Sequence, residues 1–164
     1  MEFPHGLKRV ASMCILQHQQ KFLLLKRAKN PFIGHYLPVG GKLDAHENPL
    51  AAAKRETFEE TGLQIDNFKF CGILTESSPL KYNWICYIYL AQIDDIEPPF
   101  CDEGILEWIQ YEDLLNVPTP PTDWQVYKYV LDNKPFAFNA IYNEAMEMVE
   151  MWEDFEGKLL DTLI

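Results

Sequence analysis

The stretch GKLDAHENPLAAAKRETFEETGL, Gly41 to Leu63, gathers three glutamates and an arginine into the six positions Arg55 to Glu60. Everything around those positions reads as a helix. Asn48 before Pro49 is an entry signal, because Asn caps and Pro suits the first helical position. LAAAKRETFEET consists largely of good helix formers, and Gly62 supplies a left-handed exit. The spacing therefore predicts a helix over 49–61. Glu56, Glu59 and Glu60 then fall at i, i+3 and i+4 and share one face. Like charges there repel by a few tenths of a kcal/mol per pair even in water, and shielding raises the cost unless a cation joins them. An oxygen-only set suits a hard divalent ion, Mg²⁺ or Mn²⁺. A solvated acidic face is the competing reading, and these six residues alone leave both open.

Composition narrows the classes. The chain has 164 residues, 48% hydrophobic and 24% charged, which fits one soluble domain over 1–164 with a core of its own. A net charge of −11 argues against a nucleic acid polymer as partner. It leaves room for a small nucleotide, whose phosphates a metal ion offsets. Cys14, Cys71, Cys86 and Cys101 are scattered without CxxC or Cys/His clusters, so reduced thiols are expected rather than zinc. MEFPHGLKR lacks an apolar signal core and no apolar run reaches membrane length, so no membrane partner is expected and a cytoplasmic location follows by elimination. His5, His18, His35 and His46 form no pair suited to a metal or a nucleophile.

Strands are expected over 10–16, 22–25, 68–74, 84–93 and 105–109, from their apolar, aromatic and β-branched runs. A short apolar piece spans 36–39, a short helix 112–115, and a second helix 124–131 with Thr122 or Asp123 as cap. Residues 94–102, with Pro98-Pro99, read as a loop. Phe136 to Ile141 reads as a strand. Beyond Asn143, Ala145, Met148, Val149, Trp152 and Phe155 recur at helical spacing, which favours a helix over a β-hairpin. Strands interleaved with helices imply an α/β fold with helices on both faces of a mixed sheet.

Taken outward from the acidic helix, the pattern is G-x5-E-x7-R-E-U-x-E-E-x-G-U, U being a bulky apolar residue. It resembles the signature box of the Nudix hydrolases, with Gly41, Glu47, Arg55, Glu56, Glu59, Glu60 and Gly62 in the fixed positions. Leu63 fits the second U, and Thr57 departs from the first. The resemblance implies an α/β/α sandwich with a mixed β-sheet, and an enzyme that hydrolyses the pyrophosphate bond of a nucleoside diphosphate linked to a further group. It implies Mg²⁺ as cofactor, with Mn²⁺ as substitute, and a chain acting as monomer or homodimer. Carried over by position, Glu59 and Glu60 are the principal metal ligands, joined by the Gly40 carbonyl. Glu56 is the base or a further ligand, and Arg55 pairs with Glu47 to hold the helix in register. In CDEGILEWI, Glu103 is the candidate for one more ligand, with Asp102 and Glu107 as competitors. Arg27 resembles a phosphate-contacting arginine of MutT-like enzymes, against a surface reading of equal weight; Lys42 is similarly placed.

YLPVGGKLDAHENP and EGILEWI together resemble the 8-oxo-dGTP diphosphatase branch of MutT-like enzymes. The implied reaction takes a nucleoside triphosphate, normal or oxidised, to monophosphate and pyrophosphate. Leu37 stands where that branch often has a base-contacting Asn, and Pro120 where it often has Trp. Asp123 is a candidate for the purine edge. Trp124 either stacks on a base or anchors its own helix in the core. Pro79 resembles a mark of ADP-ribose-type enzymes, which makes an ADP-ribose or nucleoside-diphosphate-sugar pyrophosphatase the alternative. A nucleotide-binding module without turnover is a third reading, opposed by the complete set of box carboxylates.

Overall fold

A computed structural model describes residues 6–160; His5 and the first residues of MEFPHGLKR lie outside them. The chain opens with a hairpin, β1 (Arg9–His18) and β2 (Lys21–Arg27), closed by a turn in which Gln19 takes a positive φ. The hairpin pairs only at its closed end, where Leu16, Gln17 and His18 face Leu23, Phe22 and Lys21. Beyond that the two strands part. β3 (Tyr36–Leu37) pairs with β2, and β4 (Val39–Lys42) pairs with β1, setting Gly41 opposite Ser12 and Gly40 opposite Met13. This wedge opens the sheet beside the start of the acidic helix α1 (Pro49–Thr61).

The remaining strands are β5 (Lys69–Ser77), β6 (Trp84–Gln92), β7 (Phe100–Cys101), β8 (Gly104–Gln110), β9 (Phe136–Tyr142), β10 (Met148–Glu153) and β11 (Lys158–Leu159). Their order is β11-β10-β9-β5-β6-β1-β2-β8-β7. β1 runs parallel to β6 and β5 parallel to β9, while the other pairs are antiparallel, so the sheet is mixed. A 3-10 turn, Tyr111–Asn116, leads to the second helix, α2 (Pro121–Leu131).

Strand alternation sorts the core into two layers. Ile15, Phe22 and Leu24 join Val126, Tyr127 and Val130 of α2. Cys14, Leu16, Leu23 and Leu25 join Ala53 of α1 on the opposite face. The fold is thus the expected α/β/α sandwich on a mixed sheet. All four cysteines are buried and free. Among the described residues, no helix is long and apolar enough to cross a membrane.

α1 has the expected bounds. The Ala51 amide donates to Asn48 Oδ1 at 2.9 Å, and Gly62 closes the helix at φ 75°. Three expectations need correction. α2 starts at Pro121, so Thr122 and Asp123 lie inside its first turn and do not cap it; Pro121 supplies the preset φ of a first helical residue. The 94–102 loop ends in β7, whose Cys101 is buried. The helix expected beyond Asn143 is instead a β-meander of β9, β10 and β11. Asn143 Oδ1 accepts the amides of Ala145 and Glu147, and Met146 takes φ 60°, which turns the chain where a helix would begin. The apparent stripe was a coincidence of spacing. Val149 and Phe155 are exposed, while Met151, off the stripe, is fully buried two residues before buried Glu153.

Candidate active site

The acidic helix meets the wedge strand through Arg55. Its guanidinium grips both Glu47 oxygens, at 2.7 and 2.8 Å, and donates to the Lys42 carbonyl at 3.0 Å. It also reaches Glu56 Oε1 at 2.6 Å and Glu59 Oε2 at 3.2 Å. A planar fork with five donors is the side chain suited to such a junction. Arg55 holds the Glu47 carboxyl down at about 2, helped by the Asp44 amide. Arg55 in turn is pushed further up by its Glu47 bonds.

Glu60 lies one turn deeper and is mostly buried. The Gly40 amide donates to its Oε2 at 3.0 Å. Burial pushes Glu60 up to about 8 against that hydrogen bond, with the Glu56 and Glu103 charges adding to the rise. Burial is also the main cause of the upward shift of Glu56, opposed by Arg55. The glycines allow this crowding. A Cβ on Gly41 would stand 2.4 Å from the Glu56 carboxyl carbon, and one on Gly40 would stand 2.2 Å from the Ser12 carbonyl oxygen.

Oxygen donors, mutual repulsion and a backbone cradle fit a hard divalent ion. Among the described residues, no three such side chains already converge on one point. The Arg55 bonds draw Glu56 and Glu59 aside, so an ion would complete this cluster rather than fill a closed cage. Glu103 is bridged to Lys29 at 2.9 Å on the facing turn. Of its competitors, Glu107 accepts the Tyr36 hydroxyl at 2.7 Å, and Asp102 is exposed in the β7–β8 turn.

A cleft of about 570 Å³ runs from this cluster along the splayed strands. Gly40, Gly41, Lys42, Glu60, Glu103, Arg27 and Leu37 line it, and so does Asp123 at its far side. Arg27 spends much of its guanidinium on the loop before β3, donating to Pro31 O at 2.8 Å and to Lys29 O and Asn30 O at 3.3 Å. Trp124 does not line the cleft. It packs edge-on against Tyr127, partly buried against the core, which is the second of the two readings its sequence left open. Pro79 is exposed in the β5–β6 loop.

The cleft brings in residues that sequence reasoning missed: Arg9, Glu76, Tyr82, Trp84 and Thr122. The Arg9 guanidinium lies 4.2 Å over the Trp84 ring. Glu76 is buried and accepts the Tyr142 hydroxyl at 2.8 Å and the Tyr82 hydroxyl at 3.1 Å. Its signal was present: Glu76 shares strand parity with buried Leu74, and an acid at an inward position needs partners.

Comparison with known proteins gives four further findings. The family profile described as NUDIX domain matches residues 6–132. An uncharacterized Nudix hydrolase of Bacillus subtilis is 28% identical over 130 residues, covering 76% of this chain and 80% of that protein. Diphosphoinositol polyphosphate phosphohydrolase 3-beta of Bos taurus is 27% identical over 120 residues, covering 70% and 71%. Among solved structures, the mutator MutT protein of Bacillus halodurans superposes with a TM-score of 0.78 at 26% identity, over 89% of this chain and 97% of that one.

Proposed function

Since this chain belongs to the NUDIX family, whose members are enzymes acting on pyrophosphate bonds, we propose that it hydrolyses a nucleoside triphosphate, normal or oxidised, to the monophosphate and pyrophosphate in a Mg²⁺-dependent, MutT-like reaction. The observation that carries this reading is the single cleft joining the acidic cluster around Glu60 to a second polar group around Asp123. Arg9 and Met13 mark the two regions on β1, about 13 Å apart at the rise of an extended strand. A substrate with phosphates at one end and a hydrogen-bonding ring at the other suits that layout.

Glu60, Glu59, Glu56, Glu103 and the Gly40 carbonyl are the groups that would hold the ion. When bound, a divalent ion neutralises phosphate oxygens and acidifies water. The protein's own part is positioning. Arg55 and Glu47 fix the helix to the wedge strand. Glu56 Oε2, which Arg55 does not engage, is placed to accept the proton of the attacking water. Arg27 keeps the loop over the cleft and adds positive potential beside the phosphates. Lys42 adds a second cation, and Leu37 and Asp123 meet the nucleoside end.

Two other substrates are weighed against this one. A diphosphoinositol polyphosphate needs a strongly basic pocket, whereas here Glu76 and Asp123 occupy the far end and the chain carries −11. For ADP-ribose, only Pro79 speaks, from an exposed loop. Incubation with Mg²⁺ and a panel of normal and oxidised nucleoside triphosphates, ADP-ribose and a diphosphoinositol polyphosphate separates the three. Nucleoside monophosphate with pyrophosphate is the expected product pair. Preferential release of AMP from ADP-ribose, or of phosphate from the inositol, would overturn the assignment. Strong nucleotide binding without any product would favour the non-catalytic module.

A further inference from the structure

The α1 side of the sheet is covered over only part of its width. α1 packs on β1, β4 and β7, with Ser12 Oγ donating to the Pro49 carbonyl at 2.7 Å and Cys14 Sγ donating to the Ala53 carbonyl at 3.5 Å. Ser12 thus points to the α1 side, and strand register carries that side outward from it. Ser12 pairs with Tyr87, Tyr87 with Ile73, and Ile73 with Ala137. The next row runs Ile85, Thr75, Asn139, Trp152 and Leu159, across β6, β5, β9, β10 and β11. All of these side chains from Tyr87 onward are half-buried or exposed, whereas Leu74, Phe138 and Met151, which point the other way, are sealed on the α2 side. Parallel pairs are ordinarily buried on both faces, yet β5–β9 is open on this one. Phe70, Trp152 and Leu159 stand 51%, 38% and 55% exposed on it.

We propose that this face is a two-fold interface with a second copy of the same chain. Charge selects that occupant. A chain of −11 attracts basic partners, but the rows through Tyr87 and Ile85 carry no charged residue for such a partner to pair with. Two equally acidic copies, by contrast, approach each other where their charge is thinnest, and homodimer interfaces are the more apolar class. At its β10 end the face carries Glu150 and Asp154, bonded to Trp152 Nε1 and Asn139 Nδ2. A two-fold axis through the β5–β9 pair sets that acidic end of each copy over the β6 end of the other, so like charges stay apart. Size agrees. Five strands with three outward residues each span about 20 Å in both directions. Two such footprints, enlarged by side-chain relief, exceed the roughly 1,000 Å² of total area that a specific interface needs.

The test is sedimentation equilibrium of the full chain at about 50 μM, a concentration that populates even a micromolar dimer. The wild type is expected at twice the chain mass. Thr75→Lys sets a charge in the middle of the face and weakens association by about a hundredfold or more, the cost of opposing like charges across an interface. If that variant fails to fold, Trp152→Ala decides the matter by removing an exposed ring, with a loss of about tenfold or more. Phe100→Lys alters an 88% exposed residue on β7, at the opposite edge of the sheet, and leaves association unchanged. A monomeric wild type, or an assembly larger than a dimer, overturns the proposal. So does a dimer that survives both face substitutions, or one that Phe100→Lys dissociates.

Discussion

At the scale of single residues, the site sets opposite demands on neighbouring acids. Glu60 is half-buried among carboxylates and receives one amide, from Gly40, whereas Glu47 is saturated by a bidentate arginine. Glu60→Gln keeps the shape and can still accept the Gly40 amide. It is expected to lower turnover by about a hundredfold or more, the loss of a few kcal/mol of transition-state stabilisation, with little change in melting temperature. Steady-state kinetics beside thermal melts check this, and wild-type turnover in the variant would contradict it. Glu47 behaves as an acid held low. Its folded value of about 2 lies below the ordinary carboxylate value, so its contribution is complete above about pH 4.5 and is lost as pH falls toward 2. Acid unfolding of Glu47→Gln should therefore show a shallower loss of stability across that window than the wild type. Identical acid profiles would mean that the Arg55 contact is energetically idle.

At the scale of elements, the glycine pair of β4 gives a paired test. Alanine at Gly40 would drive its Cβ to 2.2 Å from backbone, the Ser12 carbonyl, which cannot yield without breaking the β1–β4 ladder. Gly40→Ala is expected to lose several kcal/mol of stability, as overpacking against fixed atoms does. Alanine at Gly41 meets only the end of the Glu56 side chain, which can swing away. Gly41→Ala should melt near the wild type yet turn over at least about tenfold more slowly, at the scale of a displaced supporting group. Equal melting of both variants would refute this account of the wedge. The acidic helix was legible in the sequence because its cap, first-turn proline and terminal glycine all act locally. The C-terminal meander was not, because Met148, Val149 and Trp152 fit a helical period by chance, while the Asn143 turn and the pairing with β9 decide otherwise. In the site, the pairing of Arg55 with Glu47 was legible only through the resemblance of the box, which sets the two residues in fixed positions. Glu76 and Arg9 come into the cleft through the parallel β1–β6 pairing and its β5 neighbour, contacts between residues far apart in sequence. The two readings of Trp124 could not be separated in the sequence, because its packing against Tyr127 depends on how α2 lies on the sheet; Asp123 rather than the indole lines the cleft.

At the scale of the whole molecule, a strongly acidic chain concentrates part of its charge on one helix end and beside one cleft. We take the chain as a single Nudix domain, so far-ultraviolet circular dichroism and tryptophan fluorescence should report one coincident unfolding transition. Two separated transitions would divide it. An ion that binds only the folded state raises stability by mass action, and millimolar Mg²⁺ is expected to raise the wild-type melting temperature more than that of Glu60→Gln. The central claim is that Glu60 and its neighbouring acids hold the divalent ion. Its most direct test is titration of Mn²⁺ into wild-type and Glu60→Gln chains, with free ion followed by electron paramagnetic resonance. The account predicts that the wild type takes up an ion which the variant releases; the same uptake curve for both chains would contradict it.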